Sequence, residues 1–377
     1  MNDSILTVIG ILRGNRNFIP DYKNSNRYSL IVREQDNSRT VYCFGVPIYS
    51  KDTRKLVSLS FEETLHGFYH KGSNAEIKVS ENEIFMKNSE GILRIHGIFK
   101  CRLCDGKLLF PGGEIAPTLN GVAVKKALVT ENAIALKLTT DPPFMETRAN
   151  SKYFAFMSEK FRPFATLSAI GTLGVGGNLA APIQVNNQKL DSKSYYVTLT
   201  PFSQIKTPVW FEINLYEPKL FQDTTVESKK PKENNAFGGV AFIGETEAFG
   251  ETWLYTRPDF TKLSYFLGKK ARYIKLHLPV YNTESIPLSA YRTASRFCSL
   301  GSNWNNKIEL SKKIIDTVVR NQYQTLDLTG SMVNPNNHSL RTTDGFIFRT
   351  KDQKKLAIVS TGDSYVSPQI LEINYFN

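Results

Sequence analysis

The sequence has few of the residues that most often build metal sites and nucleophilic active sites. It contains four cysteines and five histidines in 377 residues. Cys101-Arg-Leu-Cys104 has close spacing, but a zinc site needs four ligands, and Cys43 and Cys298 are isolated in the sequence. We therefore expect structural or free thiols and no bound metal. A metal knuckle and a redox-active pair are the alternatives that this spacing leaves open.

Catalytic motifs are also scarce. His66-Gly-Phe-Tyr-His70 has the spacing of a zinc-protease helix, but Gly67 stands where the general base Glu would be, and glycine weakens a helix. The glycine-rich stretch from Gly171 to Asn178 fits neither a dinucleotide-binding nor a phosphate-binding loop, and it predicts a hairpin tip. No Gly-x-Ser-x-Gly elbow supports a Ser-His-Asp site, although a dispersed one stays open. We expect no enzyme, no catalytic residues and no cofactor.

Long hydrophobic runs are missing as well. No apolar stretch approaches the roughly 18 residues that a membrane span needs, so we expect no membrane insertion. The N-terminal segment 1–13 has Asp3 where a signal peptide has its basic region, and its apolar residues alternate as in a strand. We therefore expect no signal peptide and folding in a cytoplasm, and four cysteines without a regular framework fit a reducing compartment.

The positive charge of the chain, +12 at pH 7, is spread over both ends of the sequence. Nucleic-acid-binding proteins usually concentrate Lys and Arg on one element, so we expect no specific nucleic-acid binding. The run Lys229-Lys-Pro-Lys232 lies in a polar stretch, Thr225 to Asn235, that is typical of a solvated linker. Weak attraction to polyanions such as teichoic acids, acidic glycans or DNA is compatible with this charge.

Aromatic residues and short alternating segments are abundant. Aromatics make up 12% of the chain, and apolar and polar residues alternate in several short runs, which favours half-buried antiparallel strands. These runs are Ile134–Leu138, Tyr195–Leu199, Phe211–Leu215 and Ile274–Leu278. The best helical pattern, Glu309–Arg320, is ambiguous because it is rich in β-branched residues. The sequence predicts an all-β protein of tandem antiparallel β-sandwich, jelly-roll-like domains.

Two turn-rich or polar stretches suggest domain boundaries. One lies near Pro117–Val122, and the other is the polar stretch Thr225–Asn235. We predict an N-terminal β domain over 1–122 for attachment or assembly, a β-sandwich with its linker over 123–228, and a C-terminal jelly roll over 229–377.

The C-terminal part contains an ordered series of segments that resembles one known family. The series starts with two aromatic runs and an alternating strand, continues with Trp-Asn-Asn and Asp-Leu-Thr segments, and ends with a Gly-Phe strand and a final strand after proline. The segments are Phe249–Tyr255, Leu263–Phe266, Arg272–Tyr281, Trp304–Asn306, Asp327–Thr329, Gly345–Phe346 and Pro368–Tyr375. In this order they resemble the DNRLRE-type domain family, a jelly-roll sandwich related to carbohydrate-binding modules. The namesake motif of the family is absent here.

The middle region also resembles β domains of phage tail and virion surface proteins, through Tyr153–Phe156, Phe161–Phe164 and Asp191–Thr198. Taken with the predicted tandem sandwiches and the expected lack of a signal peptide, these resemblances lead us to expect a non-catalytic structural protein of a bacteriophage or phage-like particle, in a tail, baseplate, fibre or capsid decoration. Its implied partners are other virion subunits, further copies of itself and a cell-surface glycan, and its implied location is the virion, assembled in the host cytoplasm.

The candidate ligand-binding residues are aromatic. Trp253, Tyr255 and Trp304 could stack on sugar rings if an exposed face presents them, as could Trp210 and Tyr265. Packing in a sandwich core is the alternative for each of them. The alternative functions are a stand-alone polysaccharide-binding protein and a glycan-degrading enzyme with dispersed acids.

Overall fold

The computed structural model describes residues 5–128, 132–144, 146–159, 162–174, 179–202, 208–266, 268–282, 284–319, 322–350 and 355–376. The chain forms two compact units, each discontinuous in sequence. Unit 1 consists mainly of Tyr49–Glu217 with Phe237–Gly239, and unit 2 of Leu6–Ile48, Pro218–Ala236 and Val240–Asn377.

Strands dominate both units. In the first part of the chain they are β1 (Ile19–Pro20), β2 (Ser29–Arg33), β3 (Arg39–Phe44), β4 (Glu62–Thr64), β5 (Gly67–Lys71), β6 (Glu76–Val79), β7 (Glu83–Lys87), β8 (Ile92–His96), β9 (Arg102–Cys104), β10 (Lys107–Phe110), β11 (Gly113–Pro117), β12 (Gly121–Lys126), β13 (Ile134–Asp141), β14 (Glu146–Ala149), β15 (Tyr153–Glu159), β16 (Arg162–Leu173), β17 (Leu179–Ala181), β18 (Ile183–Lys189), β19 (Ser194–Pro201) and β20 (Val209–Leu215).

The later strands belong to unit 2. They are β21 (Phe221–Glu227), β22 (Val240–Thr246), β23 (Gly250–Pro258), β24 (Ala271–Val280), β25 (Ile286–Thr293), β26 (Leu310–Val319), β27 (Gln322–Asp327), β28 (Phe346–Thr350), β29 (Ala357–Ser360) and β30 (Ile370–Tyr375). The helices are short: α1 (Ile5–Leu12), α2 (Thr329–Met332) and single 3₁₀ turns at Ser264–Phe266 and Trp304–Asn306. None of the described helices is long and apolar enough to cross a membrane.

Unit 1 is a sandwich of two antiparallel sheets. One sheet has the order β14-β15-β16-β20-β12-β11-β10-β9, with β17 paired to β16, and the other has the order β18-β19-β13-β8-β7-β6-β5-β4. Side chains alternate between a buried and an outer face, most clearly in β13, so each sheet buries one face. One apolar cluster, which includes Ile77, Phe154, Val197 and Phe211, draws on strands of both sheets and forms the core.

Unit 2 is built on one long antiparallel sheet. Its order is β1-β2-β3-β30-β24-β29-β22-β23-β28-β25-β26, with β21 paired to β23 and β27 to β24. One core cluster takes residues from both halves of this order, such as Val41 and Ile274 from one half and Leu254 and Phe348 from the other. The two halves therefore enclose a shared core, as the two sheets of a sandwich do.

The structure confirms the all-β sandwich class and the strands expected from alternation. It also corrects several local expectations. The N-terminal apolar run is a helix from Ile5, not a strand, and Glu309–Arg320 contains strand β26. The expected linker begins in a buried strand, because Thr225, Val226 and Glu227 of β21 are at most 2% exposed.

The two units divide the chain differently from the predicted domains 1–122, 123–228 and 229–377. Residue 122 lies inside unit 1, in β12, which pairs with β20. The chain passes from unit 1 to unit 2 at Glu217–Pro218, before the predicted boundary at residues 228 and 229. Residues 6–48 belong to unit 2 because β3 pairs with the C-terminal strand β30 over six residue pairs.

Candidate functional site

The outer face of the unit 2 sheet carries an open pocket of about 1080 Å³, here called the polar pocket. Its floor is formed by neighbouring strands β3, β30, β24 and β27, which hold Tyr42, Glu372, His277 and Thr325. The segment 12–19 after α1 and the β2–β3 turn form its walls. Since alternate residues of β24, such as Ile274 and Leu276, face the core, the residues between them face the pocket.

One wall of the pocket is fixed by Arg13. Its guanidinium donates two hydrogen bonds to the carboxylate of Glu34, at 2.7 and 2.8 Å, and a third to the hydroxyl of Tyr42 at 3.3 Å. Hydrogen bonding from Arg13 holds the pKa of Glu34 below its ordinary value, although partial burial opposes this. A forked pair of this kind fixes both position and orientation. The end of α1 is therefore held against the sheet.

The floor contains a chain of hydrogen-bonded groups. Tyr273 donates to Glu372 Oε1 at 2.9 Å, and Glu372 Oε2 lies 2.7 Å from His277 Nε2. The other ring nitrogen, Nδ1 of His277, lies 2.9 Å from the hydroxyl oxygen of exposed Thr325. Burial would raise the pKa of Glu372, but the hydrogen bonds from His277 and Tyr273 outweigh it and lower the pKa. Glu372 is thus held as a carboxylate.

The pocket lining carries more positive than negative groups. Three acids line it, and each has a partner: Glu34 with Arg13, Asp36 with Arg272, and Glu372 with His277. The cations Arg16 and Lys275 also line it, and Lys275 Nζ lies 4.5 Å from the centre of the Tyr273 ring. A ligand with negative charge and many hydroxyls would match this lining better than an apolar one.

The aromatic residues singled out in the sequence lie elsewhere in unit 2. Trp253 and Tyr255, on β23, are 7% and 0% exposed and belong to a second apolar cluster, and Trp304 is half-buried against it. The rings of Trp253 and Trp304 meet edge to face at 5.5 Å, and the Tyr255 hydroxyl donates to the carbonyl of Ile308. Their role as ligand contacts stays a prediction, and among the three Trp304 has the most accessible surface.

Basic side chains lie next to these rings. Lys307 Nζ lies 4.0 Å from the centre of the Trp304 ring, and the Arg349 guanidinium lies 5.2 Å from that of Trp253. Of the other two candidates, Tyr265 is 59% exposed, and Trp210 on β20 lies 4.9 Å from Lys125 Nζ. Contacts of this kind between a cation and a ring stabilise the packing of the aromatic side chains.

Cys101, Cys104, His66 and His70 lie in unit 1, whereas Cys43 and Cys298 belong to unit 2. Cys101 precedes β9 and Cys104 is its last residue; Cys104 is exposed, whereas burial raises the pKa of the Cys101 thiol to about 11. His70 is buried on β5, with Nε2 2.9 Å from the Thr118 carbonyl, so His66–His70 is no zinc-binding helix. Within the described residues, no group of three or more His, Cys, Asp or Glu side chains could hold a metal ion.

The glycine-rich stretch is described only in part. Gly171 lies near the end of strand β16 with a positive φ of 155°, and residues 175–178 are outside the described residues. The expectation of a hairpin tip is therefore untested there.

Sequence reasoning missed the polar pocket because its residues are dispersed. Arg13, Glu34, His277, Thr325 and Glu372 become neighbours only through the pairing of β3, β30, β24 and β27. One signal was present: Lys275 and His277 share the polar face of an alternating strand. A comparison of the chain with models of known protein families and with curated proteins finds no match.

Proposed function

We propose that this protein is a non-catalytic structural component of a bacteriophage or phage-like particle, which packs against other subunits and binds an acidic glycan in the polar pocket. The observation that carries the binding role is the pocket itself, with its volume of about 1080 Å³ and its surplus of cations. Glycan sites need convergent hydrogen-bond donors and acceptors, and Arg16, Lys275 and Tyr273 supply such groups in this pocket.

Subunit packing is supported by apolar side chains that protrude from unit 1. Leu65, in the turn between β4 and β5, is 98% exposed, and Ile98, after β8, is 76% exposed. Exposed aliphatic side chains at loop tips gain free energy when a partner covers them. The role as a particle component rests on this feature and on the resemblance of the middle region to virion surface domains.

The glycan role is tested by titrating the full chain with alginate or polygalacturonate, with dextran as the neutral comparison. We expect binding of the acidic polymers only, weakened about tenfold by Arg16→Ala and by Lys275→Ala, since a hydrogen bond to a charged group is worth about 1.5–3 kcal/mol. Lys193→Ala, at an exposed site of unit 1, is the matched control and is expected to bind normally. Equal binding by all three variants would contradict the pocket assignment.

The assembly role is tested by light scattering at several concentrations, alone and with particles from the source lysate. We expect a defined oligomer or a particle-bound species that Leu65→Ser weakens. A monomer that ignores particles and still binds alginate would favour the alternative function, a stand-alone polysaccharide-binding protein.

One observation favours a second candidate function, ester hydrolysis. The hydroxyl of Thr325, the imidazole of His277 and the carboxylate of Glu372 form the order of nucleophile, base and orienting acid found in hydrolases. Thr325→Val keeps the shape of the side chain and removes the hydroxyl. Loss of acetyl-ester hydrolysis in this variant would establish an enzyme, and the absence of hydrolysis in the unaltered protein would exclude this candidate for such esters.

A further inference from the structure

Unit 2 contains a buried cluster of one lysine and two aspartates, remote in sequence from one another. Lys219 precedes β21, Asp223 lies within β21, and Asp363 lies in the loop between β29 and β30. The three residues are 7%, 2% and 7% exposed. Two carboxyl groups and an amine in so little contact with water are costly to keep as separate ions.

The contacts place the Lys219 amine against the carboxyl group of Asp363. Lys219 Nζ forms an ion pair with the Asp363 carboxylate and donates a hydrogen bond to the Asp363 backbone carbonyl at 2.9 Å. The same nitrogen lies 4.9 Å from the centre of the buried Tyr365 ring. The position of the Lys219 amine is therefore fixed from two sides, next to the Asp363 carboxyl group.

Asp223 completes the arrangement. Its carboxyl is hydrogen-bonded to the Asp363 carboxyl and accepts a hydrogen bond from the Gly362 backbone N–H. Burial, then the neighbouring Asp363 carboxylate, raises the pKa of Asp223 well above its ordinary value, although Lys219 opposes this. Asp223 is thus held as a neutral acid that can donate a proton to its neighbour.

The backbone is shaped for this close approach. A Cβ atom at position 362 would lie 2.7 Å from Phe221 Cβ and 3.1 Å from Asp223 Oδ2. Only glycine lets the β29–β30 loop lie so near to β21. The loop thereby holds Asp363 between Lys219 and Asp223.

We propose that the side chains of Lys219 and Asp363 join in an intramolecular amide bond, with Asp223 as the acid that moves the protons. Asp223 donates its proton to one carboxyl oxygen of Asp363 and then takes a proton from the Lys219 ammonium, whose freed lone pair attacks Cγ of Asp363. Asp223 delivers this second proton to the same oxygen, which leaves as water. The new amide nitrogen then returns its surplus proton to Asp223, which ends in its neutral form. Overall, one ammonium and one carboxylate become one amide and one water, so no oxidant or other reactant is needed.

Physical chemistry favours this step in the folded chain. Fixed proximity gives intramolecular reactions very high effective concentrations, and the product replaces a buried ion pair with a neutral amide. The bond would join positions 144 residues apart. Closing so long a loop restricts the unfolded chain and raises the stability of unit 2.

The direct test is the intact mass of the denatured, full-length protein. We expect a mass lower than the sequence mass by one water, and a branched proteolytic peptide that contains both Lys219 and Asp363. The exposed pair Lys193–Asp141, 3.2 Å apart, is the internal control, and its peptides should stay separate. A folded protein that keeps its full sequence mass after long incubation would overturn the proposal.

Variants define the roles of the three side chains. Lys219→Met should restore the full mass for its sequence, and Asp363→Asn should lose one ammonia in place of one water. Asp223→Asn keeps the shape but cannot shuttle the proton, so we expect the bond to form at least about tenfold more slowly. Unchanged kinetics in Asp223→Asn would overturn the role given to Asp223. Because the unaltered protein is measured first, variants that fail to fold do not decide the result.

Discussion

Unit 1 and unit 2 are both antiparallel sandwiches that bury charged side chains, but they differ in how their sheets are built. Unit 1 places one large apolar cluster between two separate sheets, and its Lys152, Glu212 and Glu217 are at most 4% exposed. Unit 2 is built on one long sheet and buries two pairs of side chains from distant parts of the chain, the Glu372 carboxylate with the His277 ring and Lys219 with Asp363. Paired buried charges are costly and rarely add much stability, so they point to a specific role for unit 2.

The stability of each unit can be measured separately because the three tryptophans are divided between the units. Trp210 belongs to unit 1, whereas Trp253 and Trp304 belong to unit 2. A variant with Trp253→Phe and Trp304→Phe reports unit 1, and a variant with Trp210→Phe reports unit 2. Fluorescence during urea unfolding then gives a separate free energy for each unit if the two transitions are distinct.

The largest effect is expected from a cavity in the core of unit 1. Phe211, on the central strand β20, is 2% exposed and lies within the apolar cluster. Phe211→Ala should lower the free energy of unfolding by about 3–5 kcal/mol, from lost burial and the cavity that remains. The unfolding transition seen by Trp210 fluorescence should shift to lower urea concentration. Because Trp210 is adjacent to the substituted residue, circular dichroism is needed as a second probe.

The matched experiment in unit 2 is Phe348→Ala, at a fully buried position of β28. It should shift the Trp253 and Trp304 signal by a similar amount. If either substitution shifted both signals equally, the two units would unfold as one, and the comparison would fail.

Acid should weaken unit 1 through His70. Burial lowers the pKa of His70 from 6.5 to about 4, so the unfolded chain binds a proton at a higher pH than the folded chain does. Stability should therefore fall by up to about 3 kcal/mol as the pH drops from about 6.5 to about 4. Urea unfolding across this range measures the slope, and His70→Gln should remove it. A slope that persists in His70→Gln would assign it to other groups.

In unit 2 the acid effect should come at a lower pH. The pKa of Glu372 is held below its ordinary 4.5, so its stabilising contribution is complete above that value and is lost as the pH falls further. In a Glu372→Gln variant the loss of unit 2 stability at low pH should be smaller, whereas the His70 effect in unit 1 should persist.

A smaller effect is expected at one glycine of unit 1. Gly67 has a φ of 124°, and a Cβ atom there would lie 2.3 Å from the Val79 carbonyl oxygen. Gly67→Ala should cost clearly more than Gly112→Ala, which also has a positive φ but has no heavy atom within 4 Å. For Gly112→Ala we expect about 1 kcal/mol, the cost of the left-handed backbone alone. Thermal unfolding of the two variants gives the difference, and equal costs would show that the β5–β6 contact adjusts.

The fold was easier to predict from sequence than the site, and particular residues show why. In β24, Ile274, Leu276 and Leu278 do lie on one buried face, as their alternation indicates. The helix Ile5–Leu12 could not be recognised, because its β-branched residues favour a strand and tertiary contacts decide the outcome. The buried residues of β21 were predicted to be solvent-exposed because threonines and acidic residues are usually found at the surface.

The site depends on pairing between distant strands. Residues 39–44 pair with 370–375, and β24 pairs with both β30 and β27. No local pattern encodes these partners, since a strand carries the same alternation whichever neighbour it finds. The same holds for Lys219 and Asp363, which are brought together only by the β29–β30 loop.

A small stability effect is expected at the wall of the polar pocket. Arg13→Lys keeps the charge but loses the two-pronged hydrogen bond to Glu34, and should cost about 1 kcal/mol, seen in the Trp253 and Trp304 signal. Lys193→Ala removes an exposed pair of unit 1 and should change stability by at most about 0.5 kcal/mol. If Arg13→Lys also weakens alginate binding, the end of α1 helps to shape the pocket. Unchanged binding would confine the ligand to the sheet and leave Arg13 with a purely structural role in unit 2.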